Sequence, residues 1–151
     1  YRIAHFSGDD GQGKNNNFDA LFWGFSDWSY WFLGEISGEY LTQNTNLTAY
    51  VLRLRSNPTD AITLNFFWIY QRLDNLENNT VSPRPPLSPR VSDIDDHDLS
   101  HEIDFIVDWS PNDHLSFSLV AAYLFPLSGG EDLFGGDDTW QNYMLWTTLS
   151  F

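Results

Sequence analysis

The chain has no cysteine, which excludes disulfide frameworks and thiolate zinc sites and suits an oxidising compartment. Basic residues are scarce too. Lys14 and six arginines stand against 21 acidic side chains, for a net charge of −14, a balance that argues against a nucleic-acid partner. Nowhere do apolar residues run for the roughly 18 to 20 positions that a spanning helix needs, so a helical membrane protein is excluded. A membrane barrel is not, because its strands are short and only alternately apolar. No signal peptide is visible in these residues, and the first of them, YRIAHF, already read as the middle of a strand. Two expectations follow, a leader removed by processing or a portion of a longer chain.

What the chain has in excess is rings. Aromatic residues make up 17% of it, and rings and carboxylates in such numbers must be segregated on different surfaces. A length of 151 residues suffices for one domain, 1–151, and nothing in the sequence demands two. Helical periodicity is hard to find, whereas two-residue alternation bounded by turn residues recurs throughout. Six long strands are expected, at 1–8, 46–56, 61–74, 99–110, 115–127 and 139–151. Two connections are short near-copies of one another, SNPTDA and SPNDHL, of tight-turn composition. The other three, 9–45, 75–98 and 128–138, are long and rich in Asp, Asn, Gly and Pro. Long and short alternate strictly, so an up-and-down meander sends every long loop from one rim and every tight turn from the other. That asymmetry belongs to outer-membrane barrels, with external loops on one rim and periplasmic turns on the other.

Side-chain alternation tests the idea face by face. In the third strand Ile62, Leu64, Phe66, Trp68 and Tyr70 share a face. In the fourth, Ile103, Phe105, Val107 and Trp109 oppose Glu102, Asp104 and Asp108. In the fifth, Leu115, Phe117, Leu119, Ala121, Tyr123 and Phe125 oppose Ser116, Ser118 and Ala122. A soluble sandwich or barrel encloses its greasy side; apolar-out with acidic-in instead calls for lipid outside. Trp68, Tyr70, Trp109, Tyr123 and Phe125 then form an interfacial girdle. The fold class predicted is an all-β, antiparallel, up-and-down transmembrane barrel segment. The terminal stripe Tyr143, Leu145, Thr147, Leu149 and Phe151 resembles the signal by which the barrel-insertion machinery selects its clients.

Arg53 and Arg55 alternate with Leu52 and Leu54, so both guanidinium groups face the lumen if the leucines face lipid, and Arg2 on the first strand is expected to join them. With Glu102 and Asp104 across the pore they would hold a transverse field that filters anions; internal salt bridging is the alternative. The ring-rich stretch FDALFWGFSDWSYWF at 18–32, with Phe22, Trp23, Trp28 and Trp31, suits a constriction or a packed rim. Two acidic runs, DIDDHD at 93–98 and GGEDLFGGDD at 129–138, offer oxygens to Ca²⁺, chiefly Asp93, Asp95 and Asp96, although neither has EF-hand spacing. Otherwise they are solvated loop surface, and no cofactor is required. His97 and His101 are four apart, but on a strand that separation is roughly 13 Å, too far for one zinc ion. Isolated histidines near serines, His5, His101 and His114, are too common to signal hydrolysis, so no enzyme is expected. The Pro-rich VSPRPPLSPR at 81–90 suggests no mechanism.

Several segments resemble the alginate-export family of outer-membrane barrels: HFSGDDGQGKNNNFDALFWGFSDW at 5–28, GEISGEY at 34–40, LRLRSNPTDAITLN at 52–65, IDFIVDWSPNDHLSFSLV at 103–120 and GDDTWQNYMLWTTLSF at 136–151. The likeness lies with the carboxyl-terminal part of that family's barrel. It implies a channel in a Gram-negative outer membrane, in contact with lipid and lipopolysaccharide, that passes an anionic polysaccharide or other anionic solute through an arginine-lined lumen. Six strands are too few to close, since single-chain bacterial barrels have at least about eight and bare edges in lipid are costly. The missing wall is expected from an amino-terminal stretch of the same protein, with another chain or symmetry copies as alternatives. A structural or partner-enclosing barrel and a barrel hydrolase are the competing functions.

Overall fold

The computed structural model describes residues 1–8, 34–38, 46–76 and 94–151. They form one antiparallel sheet in which each strand lies beside its sequence neighbours: β1 (Arg2–Phe6), β2 (Leu47–Thr59), β3 (Ile62–Leu73), β4 (Asp98–Asn112), β5 (Leu115–Pro126) and β6 (Trp140–Leu149). The up-and-down all-β order expected from alternation is present. The sheet is not closed: β1 and β6 are its two outer strands among the described residues.

The tight turns are tighter than their sequences suggest. β2 runs to Thr59 and β3 starts at Ile62; β4 runs to Asn112 and β5 starts at Leu115. Each hairpin contains a register shift, between Ser56 and Thr59 in one and between Trp109 and Asn112 in the other. Pro58 and Pro111 lie inside these intervals. Proline has no N–H for the ladder, so an irregularity there lets the strand continue past it.

Register also sets the two faces. One carries Ile3, Tyr50, Leu52, Leu54, Leu64, Phe105, Val107, Trp109, Leu119, Phe125, Tyr143, Leu145 and Leu149, all exposed. At its middle Leu119 is 52% and Leu145 65% exposed, on neighbouring strands and directly paired. Rings occur along the whole length of this bare face, and at its middle Phe66 meets Phe105 at 5.1 Å in a tilted contact. On the long-connection side Tyr50 stacks on Tyr70 at 5.7 Å, Trp68 on His101 at 5.4 Å, and Tyr123 meets Tyr143 edge-on at 5.9 Å. On the tight-turn side Trp109 stacks on Phe117 at 5.2 Å. Offset and edge contacts of this kind are the preferred ring geometries.

The other face is covered over its long-connection half. There Ala4, Leu47, Ala49, Leu73, Ile94, Leu99 and Leu133 form one buried cluster, and Ile36, Ala122 and Leu124 another; Val51, Phe67, Ile69, Ile106 and Val120 continue the apolar floor. The acidic-in expectation therefore needs a correction. The side bearing carboxylates is also well furnished with packed hydrophobic side chains, because the connections fold back onto it.

Part of that cover is α1 (Ser128–Phe134), within a connection that the sequence presents as loop. Gly129 and Gly130 disfavour a helix by propensity, but here they permit contact: a Cβ on Gly130 would lie 1.9 Å from the Leu99 carbonyl oxygen, and one on Gly129 2.2 Å from that of Asp96. The helix ends at Gly135, which has φ 81° and donates its N–H to Glu131 O, an αL cap. No helix among the described residues is long and apolar enough to cross a membrane.

Candidate functional site

The covered face has two chemically different halves. Toward the tight turns it is polar and open. Arg53 and Arg55 are exposed on β2, and Arg2, paired with Val51, shares their face. Arg53 donates from Nε and Nη2 to Asn65 Oδ1 at 3.2 and 2.7 Å, and its guanidinium lies 5.2 Å from the centre of the Phe67 ring. Asn65 Nδ2 donates to Asp108 Oδ2 at 3.4 Å, and the Ser118 hydroxyl donates to Asp108 Oδ1. A polar chain thus crosses four strands, from guanidinium through amide to carboxylate to hydroxyl. It leaves the guanidinium aligned by the wall with part of its five-donor fork facing outward.

Toward the long connections lies the second half, built around Glu102 and Asp104. Both side chains are fully buried. Glu102 accepts hydrogen bonds from the backbone N–H groups of Ile36 (2.6 Å) and Ser37 (2.9 Å) and from the Ser37 hydroxyl. Asp104 Oδ2 accepts from the Glu35 N–H at 3.3 Å, while its Oδ1 has no partner among the described residues. Residues 34–38 form a turn closed by Gly38 N–H donating to Gly34 O at 3.1 Å. Gly34 sits at φ 96°, and a Cβ there would fall 2.4 Å from Glu102 Oε2. Only glycine allows that approach. Charge-assisted hydrogen bonds to a carboxylate are worth about 1.5–3 kcal/mol each, the kind of compensation a buried carboxylate requires.

The five residues expected to shape a transverse field are thus found on one face but not as one constellation. Arg53 and Asp104 belong to the same cross-strand row, with Phe67 between them. Two strand spacings make roughly 10 Å, and the Phe67 ring occupies the gap. Glu102 and Asp104 lie beneath residues 34–38, within the stretch read from sequence as an external loop, and do not line open space opposite the arginines. The carboxylate joined to Arg53, through Asn65, is Asp108. Sequence reasoning put Asp108 on the correct face without singling it out; its pairing opposite Thr63 and Ser118 was the missing information.

Of the remaining expectations, Tyr143, Leu145, Leu149 and Phe151 lie exposed at β6 and just beyond it, and Ser150 is tied back to the β4–β5 turn by its N–H to His114 O at 2.9 Å. Phe22, Trp23, Trp28, Trp31 and Asp93 lie outside the described residues. Asp96 is occupied locally: Oδ1 accepts from Asp98 N–H at 3.0 Å and Oδ2 from the Ser128 hydroxyl at 2.7 Å. These bonds, the Asp98 N–H first and the Ser128 hydroxyl next, hold its carboxyl below the usual range. Asp95 donates its N–H to Asp132 Oδ2 at 3.3 Å. Among the described residues no three His, Asp or Glu side chains converge in the manner of a metal site. His97 bonds the Leu73 carbonyl through Nδ1 at 2.9 Å, whereas the His101 ring packs against those of Trp68 and Tyr70. No family model matches the chain, and no curated protein or solved structure matches it.

Proposed function

We propose that this chain forms part of the wall of an outer-membrane β-barrel channel of a Gram-negative bacterium, with lipid against the bare face and an aqueous passage for anionic solutes along the covered face. The observation that carries the reading is the bare face. A field of exposed Ile, Leu, Val, Phe and Trp side chains spans six strands, with ring contacts toward the long connections, at the middle, and in one pair near the tight turns. An apolar field of that extent marks an interaction surface, and the rings near its two ends suit a bilayer's interfaces. The eight residue steps from His101 to Trp109 span roughly 26 Å along the strand, a fair match to the apolar band about 25 Å tall in such barrels, less what strand tilt removes. In lipid, the outer edges of β1 and β6, which have no strand beside them among the described residues, would call for further strands from the same protein, another chain or symmetry copies.

Anion preference rests on Arg2, Arg53 and Arg55, three cations sharing the polar side of the wall. The alginate-export resemblance points to an anionic polysaccharide as cargo, with insertion through the barrel-assembly machinery. The test is electrical. Replacing Arg53 and Arg55 with Gln in channels reconstituted into planar bilayers is expected to move the reversal potential in a salt gradient toward zero or the cation side. An unchanged reversal potential would remove the arginines from selectivity. One observation favours a second reading, a structural or partner-enclosing barrel: half of the covered face is occupied. Full absence of conductance from correctly inserted protein would select it.

A further inference from the structure

We infer that the turn 34–38 is a plug that narrows the passage, held in place by a carboxylate latch, Glu102. The inference rests on the channel reading. Three hydrogen bonds to Glu102 come from the turn, from the N–H of Ile36, the N–H of Ser37 and the Ser37 hydroxyl. Asp104 adds a fourth contact through Glu35 N–H. The Ile36 side chain, 2% exposed, sits on Ala122 and Leu124. Small Ala122 leaves room for it, and Gly34 brings the backbone against the carboxylate, where any side chain would collide.

The choice of a glutamate is informative. A wall position needed only for packing is best filled by an apolar residue, because a buried carboxylate is stable only while its donors stay in place. On a wall facing water, the same group has a second stable state. With the turn withdrawn, Glu102 is hydrated and lines the passage. With the turn seated, the N–H groups of Ile36 and Ser37 substitute for water. Glu102 therefore has hydrogen-bond partners in both arrangements, which a leucine at this position would not have.

The experiment uses the absence of cysteine from the chain. Ile36→Cys introduces a single thiol under the plug while keeping every backbone donor. Its labelling by a water-soluble maleimide is followed in the full-length protein inserted in lipid vesicles, alone and combined with Glu102→Gln or with Ser37→Ala. Ser37→Ala leaves the wall untouched and so remains informative if Glu102→Gln fails to assemble. Labelling is expected to quicken about tenfold or more with Glu102→Gln and less with Ser37→Ala, and single-channel conductance to rise in the same order. Unchanged labelling in both backgrounds overturns the latch. Faster labelling at constant conductance overturns the plug. If the unmodified protein carries no current at all, the channel reading fails separately, and the labelling rates still decide whether Glu102 holds the turn.

Discussion

Asn46 shows how much one side chain can organise. It is the one non-glycine described residue with positive φ, 48°, a region that asparagine tolerates better than most. Fully buried, it pairs with Asn75 through both ends of its amide: Oδ1 accepts the Asn75 N–H at 2.8 Å and Nδ2 donates to Asn75 O at 2.9 Å. Its backbone N–H reaches Ser7 O, and its carbonyl accepts from Asp74 N–H. The residue ties the end of β1 to the end of β3, and Gly8 packs so closely that a Cβ would lie 2.0 Å from Asn46 Oδ1. Asn46→Ala is expected to lower stability by about 1–2 kcal/mol, because two partly buried backbone groups of Asn75 lose their bonds to the Asn46 amide. Asn46→Asp should fare little better, since it keeps the acceptor but turns a carboxylate oxygen toward Asn75 O. Urea unfolding measures both, and a wild-type midpoint for Asn46→Ala would remove this residue's organising role.

The short helix α1 belongs to the sheet by contact rather than by propensity. Its two internal glycines close onto backbone oxygens of Asp96 and Leu99, Leu133 enters the cluster with Leu99 and Ile94, and Ser128 bonds Asp96. Asp96 is thus a joint between the start of β4 and the start of α1. Its carboxyl is held below the ordinary range, so the unfolded segment binds the proton more readily than the folded one. The stabilisation is complete above the ordinary aspartate value of about 3.9 and is lost as pH falls below that through the lowered folded value. Amide protection of α1, corrected for intrinsic exchange, should stay level from neutrality down to about pH 5 and decline in more acid solution. Asp96→Asn should flatten that decline. A loss of protection already between neutrality and pH 5 would show that another group governs the docking.

The assembled sheet has one face of exposed apolar side chains and one that carries Arg53, Arg55, Glu102, Asp104 and Asp108. Leu119, flanked by Val107 and Leu145 on neighbouring strands, marks the middle of the bare face. If hydrocarbon wets this face, Leu119→Arg should cost about 2–4 kcal/mol in folding into lipid vesicles, as charges at a bilayer midplane do. Ser116→Arg, on the opposite face beside Thr148, should stay within about 0.5 kcal/mol. Folding titrations of the two variants side by side give the comparison. Equal costs would sink the assignment of lipid to one face and water to the other.

Strand order, the position of both hairpins and the division of residues between faces were legible in the sequence, because period-two alternation and repeated Ser/Pro/Asn/Asp turns are local signals. Leu52 against Arg53, or Phe105 against Asp104, needs no tertiary information to be sorted. The site was legible only in its membership. Sequence spacing put Arg53, Glu102 and Asp104 on one surface but could not say that Phe67 separates the guanidinium from Asp104, or that Asn65 hands it to Asp108. Nor could it say that GEISG, far away in the chain, turns its N–H groups onto Glu102. Those outcomes depend on cross-strand register and on a connection folding back, and both are set by contacts between residues far apart in sequence. Alternation along a strand tells which way a side chain points; only the packed sheet decides what it meets there.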